Sequence, residues 1–474
     1  MAVEDTHPLY DKQLPEVKKV RAAISGEVDN YIIKMPGHTD DDYKRYKERA
    51  YYLPAVGRTH ETYTGMIMRP APTITGVDEA LQYLLDDAST NGEPFNRLVS
   101  RVVSEVMATG RVGVLVDYPD TNQEIGEVIT RSQADEIGLR PYASVYTFEN
   151  IFNWRTEVVN GERVLTQVRL LEYDERRFDE FETDIIERIR VLDLHEGYYR
   201  VRIWERVQDK QRGTGWVRIG EDQYPEMNGQ KMTYLPIVIF GVNNLSIEEP
   251  LKLPLKDLTE INLSHLNDSA SLQWALLWVG SPTLFIAGQV PTDPTGAAYP
   301  IRLGSSAAIV MAEGSKAEII QAGADSLGAL RQSLEDKRRD MATVGSRSLQ
   351  DENSSQISTE TEEMQRGGEH NVLSQIAESI SDGLRIVLNI MIKWDGSDPE
   401  DVTVQLNTDY TPKSLSAQEL TAWVGAVQGG AMPNELFLSY LKNRGIAPTE
   451  MTLEEFEDKI DEDALGQDDS TVFE

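Results

Sequence analysis

Six histidines, His7, His38, His60, His195, His265 and His370, are the first residues to test for chemistry. No two stand at metal-ligand spacing and no H-E-x-x-H occurs, so surface or core positions are expected for all of them. The stretch AEIIQAGADSLGALRQSL reads as strand, turn and helix, and sets Ser326 in an A-x-S-x-G context that loosely mimics a nucleophile elbow. Only His370 follows it, inside a helical pattern, and no oxyanion-hole glycine cluster precedes it. The run DGSDPED, Asp395 to Asp401, has calcium-ligand composition without EF-hand spacing and reads as a helix-to-strand turn. Neither a Walker A nor a G-x-G-x-x-G sequence is present. Lys337, Arg338 and Arg339 form the densest basic cluster; on a helix they span nearly a full turn and read as a solvated, salt-bridged face. The expectation is a protein without catalytic residues, cofactor or metal.

Composition narrows the class. The 474 residues can bury a large core, and 40% hydrophobic with 26% charged residues is a soluble globular balance. No run of 18 or more apolar residues could span a bilayer, and the start MAVEDTHPLYDKQLPEVKK is acidic and polar where a signal peptide needs a basic start and an apolar core. The absence of cysteine excludes disulfides, thiolate metal sites and cysteine nucleophiles together. Acidic residues outnumber basic ones, 79 to 46, for a net charge of −33, which disfavours a static grip on nucleic acid. An acidic wall repels a duplex rather than holding it, so passing contact with moving DNA stays compatible with this charge. Solubility alone would also account for it.

The elements that would position any site fall in a clear order. Helical stripes occupy the first hundred residues: Leu14, Val17, Val20 and Ile24; then Tyr43, Tyr46, Ala50 and Leu53 behind Thr39 as N-cap; then Leu81, Leu84, Leu85 and Ala88 after the turn-rich RPAPTITG. Phe95 to Met107 carries the wide apolar face of a core helix, and RVGVLVDYP follows as a buried strand. From 141 to 240 alternating β-branched and aromatic residues predict a mostly antiparallel sheet layer without crossover helices. Helices are expected at 254–279 and 325–345 around a compact β insertion, then a polar break, then a helix at 360–394 with Thr359 and Glu362 as a capping box. Its second half carries Leu373, Ile376, Ile380, Leu384, Val387 and Met391; its first half carries almost no apolar stripe, and Gly367 and Gly368 lie between them. Each glycine costs a helix about 1 kcal/mol relative to alanine, so the pair needs a reason.

Long stretches resemble one subfamily of the portal, or head-to-tail connector, proteins of tailed bacteriophages. These are RPYASVYTFENIFNWR (Arg140 to Arg155), LTQVRLLE, YYRVRIWE and LPIVIFGVNN; then PLKLPLKDLTEINLSHLNDSASLQWALLWVGSPTLFIAG and STETEEMQRGGEHNVLSQIAESISDGLRIVL. Gly367-Gly368 departs from the pattern, where ordinary helix formers would be expected. The resemblance implies an α+β, portal-type fold: a helical and β wing (1–247, completed by the long helix and strand of 359–412), a two-helix stem (248–280 and 324–345), a small β clip (281–323), a tunnel loop (346–358) and a C-terminal helical crown with an acidic tail (413–474). It further implies a homo-oligomeric ring, usually of twelve subunits, at one vertex of a virion capsid, made in the bacterial host cytoplasm. Double-stranded DNA would be packaged and ejected through its channel.

The partners implied are the major capsid protein, scaffold, the terminase large subunit at the clip and a head-tail adaptor, with no membrane. Ser346, Arg347, Gln350, Asp351, Glu352, Asn353 and Ser354, with Lys337, Arg338 and Arg339, would line the DNA channel. Gly367 and Gly368 would mark a kink, glycine pairs being among the few causes of sharp bends. Another virion or scaffold protein, or an enzyme whose pocket leaves no motif, are the alternatives.

Overall fold

The computed structural model describes residues 2–89, 91–119, 139–177, 179–209, 213–249, 251–280, 283–288, 314, 316–320, 325–345, 359–399, 401–408, 410, 425, 433–443 and 451–456. The chain divides into two compact units, Met1–Asp409 and Tyr410–Glu474. The first is a mix of helices and antiparallel sheets, an α+β architecture.

Helix α1 (Pro8–Ser25) opens on His7, whose Nδ1 accepts the Leu9 N–H at 3.2 Å, and closes on Gly26 in the left-handed conformation. α2 (Asp40–Arg49) carries a complete capping box between Thr39 and Asp42. It stops four residues short of Leu53, contrary to the expected stripe. Ala50 is extended, and Tyr51 to Leu53 run on as an open strap instead. α3 (Ala55–Met68), which the apolar pattern does not announce, starts directly after Pro54. The turn-rich 69–76 segment contains β1 (Thr73–Thr75), and the expected helix at 81–88 shrinks to a 3-10 turn and α4 (Tyr83–Asp86).

α5 (Phe95–Thr109) is followed at once by β2 (Arg111–Asp117), the central strand of a three-stranded antiparallel sheet. β3 (Tyr142–Thr147) and β11 (Ile237–Gly241) flank it, which explains why β2 reads as a continuous apolar run. A second sheet is a meander of β4 (Ile151–Val159), β5 (Glu162–Arg177), β6 (Thr183–His195), β7 (Tyr198–Asp209) and β8 (Gly213–Gln223) in sequence order. Two of its hairpins turn on two residues with positive φ, Asn160-Gly161 and Glu196-Gly197, the conformation that matches the strands' right-handed twist. β9 (Glu226–Met227) and β10 (Gln230–Lys231) turn likewise on Asn228-Gly229. Tyr10, Phe148, Trp154, Leu170, Tyr199 and Ile237 lie in the core that joins α1 to both sheets.

α6 (Lys256–Gly280) and α7 (Asp325–Val344) follow, with β12 (Thr283–Ala287) and β13 (Lys316–Ile320) between them in sequence. The 36-residue α8 (Thr359–Trp394) is helical without interruption across Gly367 and Gly368. Leu373, Ile376, Ile380, Leu384, Val387 and Met391, the predicted stripe, are all buried. β14 (Thr403–Gln405) returns to pair with β1. In the second unit α9 (Asn434–Asn443) buries Leu438, and Phe437 packs its ring 6.2 Å from that of Phe456.

Candidate assembly site

Two helices and a hairpin make the site. Asp268 of α6 accepts Ser333 Oγ at 2.6 Å and Lys337 Nζ at 2.5 Å, while Lys337 also reaches the Ser264 carbonyl at 3.4 Å. At one end Leu258 lies beside Gly345, and Leu255, Leu258, Met341 and Ala342 share a buried cluster with Val20 and Ala23 of α1 and Ala55 and Val56 of α3. Early residues of α6 therefore meet late residues of α7: the pair is antiparallel. Beyond it β12 and β13 pair antiparallel from Thr283 against Ile320 to Ala287 against Lys316.

α6 is held by polar side chains on two faces. Asn262 Nδ2 donates to the Leu53 carbonyl at 2.9 Å, and its Oδ1 accepts Tyr52 Oη at 2.8 Å. Asn267 Nδ2 donates to the Tyr31 carbonyl at 3.1 Å, and its Oδ1 accepts the Ile33 N–H at 2.8 Å. Ser269 Oγ accepts the Tyr51 N–H at 3.3 Å, and Ser271 shares a hydrogen bond with Tyr46. These side chains satisfy backbone groups of the strap and of the 28–33 turn that have no sheet or helix partner. Burial raises the Tyr52 hydroxyl well above its ordinary pKa.

The basic cluster is divided as helical geometry requires. Lys337 is tied to Asp268; Arg338 is half-buried; Arg339 stands out, 68% exposed and 3.6 Å from Asp336. His265, 7% exposed, lies among these charges, and burial lowers its pKa, with Lys337 and Arg338 adding to the effect and Asp268 opposing it. Ser333, Asp268 and His265 are not a nucleophile relay. Asp268 is the shared acceptor and Lys337 occupies the same carboxylate oxygen, so the group works as a strut between helices.

The remaining predicted residues are placed as follows. Ser346, Arg347, Gln350, Asp351, Glu352, Asn353 and Ser354 lie outside the described residues. Ser326 is in the first turn of α7 and His370 within α8. His38 packs against Tyr46 and Trp274, His60 Nε2 lies 2.9 Å from the Ser104 carbonyl, and His7 stacks on Trp154 at 4.0 Å. Asp395 accepts the Tyr83 hydroxyl beside the turn at Gly396. Among the described residues no group of three or more His, Asp or Glu could hold a metal ion, and no helix is long and apolar enough to cross a membrane.

A cleft of about 450 Å3 opens between the two sheets. In it Arg190 pairs with Asp117 and Glu172, each at 2.8 Å, Arg188 pairs with Asp174 and Glu205, and Tyr146 donates to Glu172 at 2.5 Å. Burial and Asp117 push the Tyr142 hydroxyl up to about 12. Both arginines that line the cleft are matched to carboxylates, so among the described lining residues it presents no unmatched cation for an anionic ligand. Asp268, Ser333, Asn262 and Asn267 are what sequence reasoning missed at the helix pair. Their only signal is four hydrogen-bonding side chains on faces that an ordinary core helix would keep apolar.

Residues 254–395, from just before α6 to just past α8, match the family model DUF4055, a domain of unknown function. No curated protein matches the chain. Solved structures similar to it include the neck of an empty GTA particle computed with C6 symmetry, at 11% identity and a TM-score of 0.40 over 87% of this chain and 95% of that one. The neck of a native GTA particle computed with C12 symmetry is similar at 9% identity and 0.39, over 80% and 86%. The virion of a native gene transfer agent particle is similar at 10% identity and 0.40, over 91% and 99%.

Proposed function

We propose that this chain is the subunit of a portal ring, the channel through which double-stranded DNA enters and leaves a phage-type capsid. One observation carries the reading: two antiparallel helices, α6 and α7, separated in sequence by an antiparallel strand pair and followed by a 36-residue helix, in the order that the sequence resemblance requires. In this reading α6 and α7 are the stem and the β12–β13 region is the clip, where terminase and then a head-tail adaptor dock. The 346–358 segment faces DNA, with Ser346, Arg347, Gln350, Asp351, Glu352, Asn353 and Ser354 offering it polar contact, and Gly367-Gly368 bends α8 from the channel into the wing. Of the Lys337, Arg338 and Arg339 cluster, Lys337 is held by Asp268 and Arg339 is the exposed member, so Arg339 is the first of the three that would meet DNA.

The net charge of −33 suits a wall that lets a duplex slide. Native mass spectrometry with two-dimensional electron-microscopy class averages, on protein produced with its capsid and scaffold proteins, tests the proposal. A closed ring near twelve copies with a central channel is the expected result; a monomer under those conditions overturns it.

A further inference from the structure

The last twelve residues of α6, Ser269–Gly280, carry no charged side chain, and Trp274 to Val279 are six apolar residues in succession. Six consecutive residues cover every side of a helix, and a helix apolar all round is stable in water only when neighbours surround it. Among the described residues the cover at this height comes from α7 and from the segment that holds His38 and Tyr46. Trp274 packs between His38, at 4.9 Å, and Tyr46, at 5.9 Å, whereas Trp278, in edge contact with Trp274 at 6.1 Å, is 54% exposed. Leu276, Leu277 and Val279 are half-buried.

The same chain offers small exposed residues at that height. Asp268 is level with Ser333 and Lys337, so in the antiparallel pair the end of α6 is level with the first turns of α7. There Gly328 and Ala329 are exposed, and a Cβ built on Gly328 meets nothing within 4 Å. Helical side chains lean toward the N-terminus, which carries the Trp278 ring back to the height of Gly328. Trp278 and the Gly328–Ala329 patch are thus both exposed at one height. Copies related by rotation about an axis along the helix pair meet height to height, in a heterologous contact that repeats around a closed ring.

We infer that Trp278 of one copy seats against Gly328 and Ala329 of the next, so that the charge-free end of α6 is buried between subunits. The inference rests on the ring proposed above. The chain's lack of cysteine makes it testable: Trp278→Cys and Gly328→Cys are placed together in the full-length protein, ring formation is checked under reducing conditions, and the rings are then treated with a short bis-maleimide, which spans the width of the removed indole where a disulfide cannot. A ladder of dimer, trimer and higher bands on a denaturing gel is the expected result. Rings that cross-link to monomer bands alone overturn the inference and leave the ring standing; failure of the unsubstituted chain to form rings overturns both. Gly328→Leu gives a second reading. Its side chain has room in the single copy, so the melting temperature is expected to hold while rings disappear; Gly328→Leu rings as abundant as those of the unsubstituted chain would also sink the contact.

Discussion

The ring of Phe240 occupies the space that a side chain at Gly383 would need: a Cβ built there lies 2.4 Å from Cε1 and 2.7 Å from Cδ1. Phe240 is wholly buried on β11, so it cannot swing aside into solvent. Overpacking of this kind costs about 1–3 kcal/mol, against a helix-propensity gain of up to about 1 kcal/mol on replacing glycine. Gly383→Ala is expected to lower stability by roughly 1–2 kcal/mol in thermal or denaturant unfolding. Adding Phe240→Leu should recover part of the loss, and an unchanged midpoint for the single variant would show that the contact is slack.

The strut between α6 and α7 has a measurable strength. Asp268 and Lys337 are each 24% exposed, which places the pair between a solvated surface bridge and a buried one. A double-mutant cycle with Asp268→Asn and Lys337→Met is expected to return a coupling of about 1 kcal/mol, weakened by salt. A coupling indistinguishable from zero would mean that Ser333 alone carries the contact.

Acid should loosen the fold through histidine before it reaches the carboxylates. Burial holds His265 below its ordinary pKa of 6.5, and burial together with Arg111 does the same for His7, whose neutral Nδ1 is also a helix cap. In the unfolded chain both imidazoles take up a proton below about 6.5, so the unfolded state binds more protons there. Stability therefore falls as pH drops through 6.5 toward the folded-state values. Glu149, where Arg21 outweighs the effect of burial and keeps the carboxylate below 4.5, adds its loss only at lower pH. Unfolding midpoints from pH 7.5 to 5 should slope downward, and His265→Gln with His7→Asn, which keeps a capping side chain, should flatten the slope.

Gly367 and Gly368 offer a test in which two readings predict opposite things. Gly367→Ala with Gly368→Ala removes up to about 1 kcal/mol of helix penalty each, so the isolated chain should gain stability. If the pair supplies a bend in the assembled channel, the same variant should package DNA poorly in spite of that gain. Normal packaging by a stabilised ring would reduce the pair to a tolerated weak spot.

Legibility in the sequence followed burial. β2 and the second half of α8 pack against neighbours on several sides, and their apolar patterns placed them to within a residue or two. Asn160-Gly161 and Asn228-Gly229 wrote their hairpins locally, through the positive φ that such turns require. α3 stayed hidden because its buried positions include Gly57, Thr59 and His60, which break the stripe. The strap at 50–53 was misread as helix since Ala50 and Leu53 continue the spacing of Tyr43 and Tyr46, yet Asn262 and Ser269, more than 200 positions away, hold its backbone extended. The strut at Asp268 was illegible for the same reason: its partners lie 65 and 69 residues on.

Those distant side chains also set a timetable for synthesis. The hydrogen bonds that hold Tyr31 to Leu53 come from Asn262, Asn267, Ser269 and Ser271, with sequence separations of 209 to 236 residues. A nascent chain made at about 5–20 residues per second reaches them roughly 10–50 s after the strap itself has been translated. During that interval Tyr46, Tyr51 and Tyr52 lack their α6 partners, and contacts that close loops of this length form late in folding. The ribosome thus exposes Tyr46 and Tyr52 well before the α6 side chains that bind them exist.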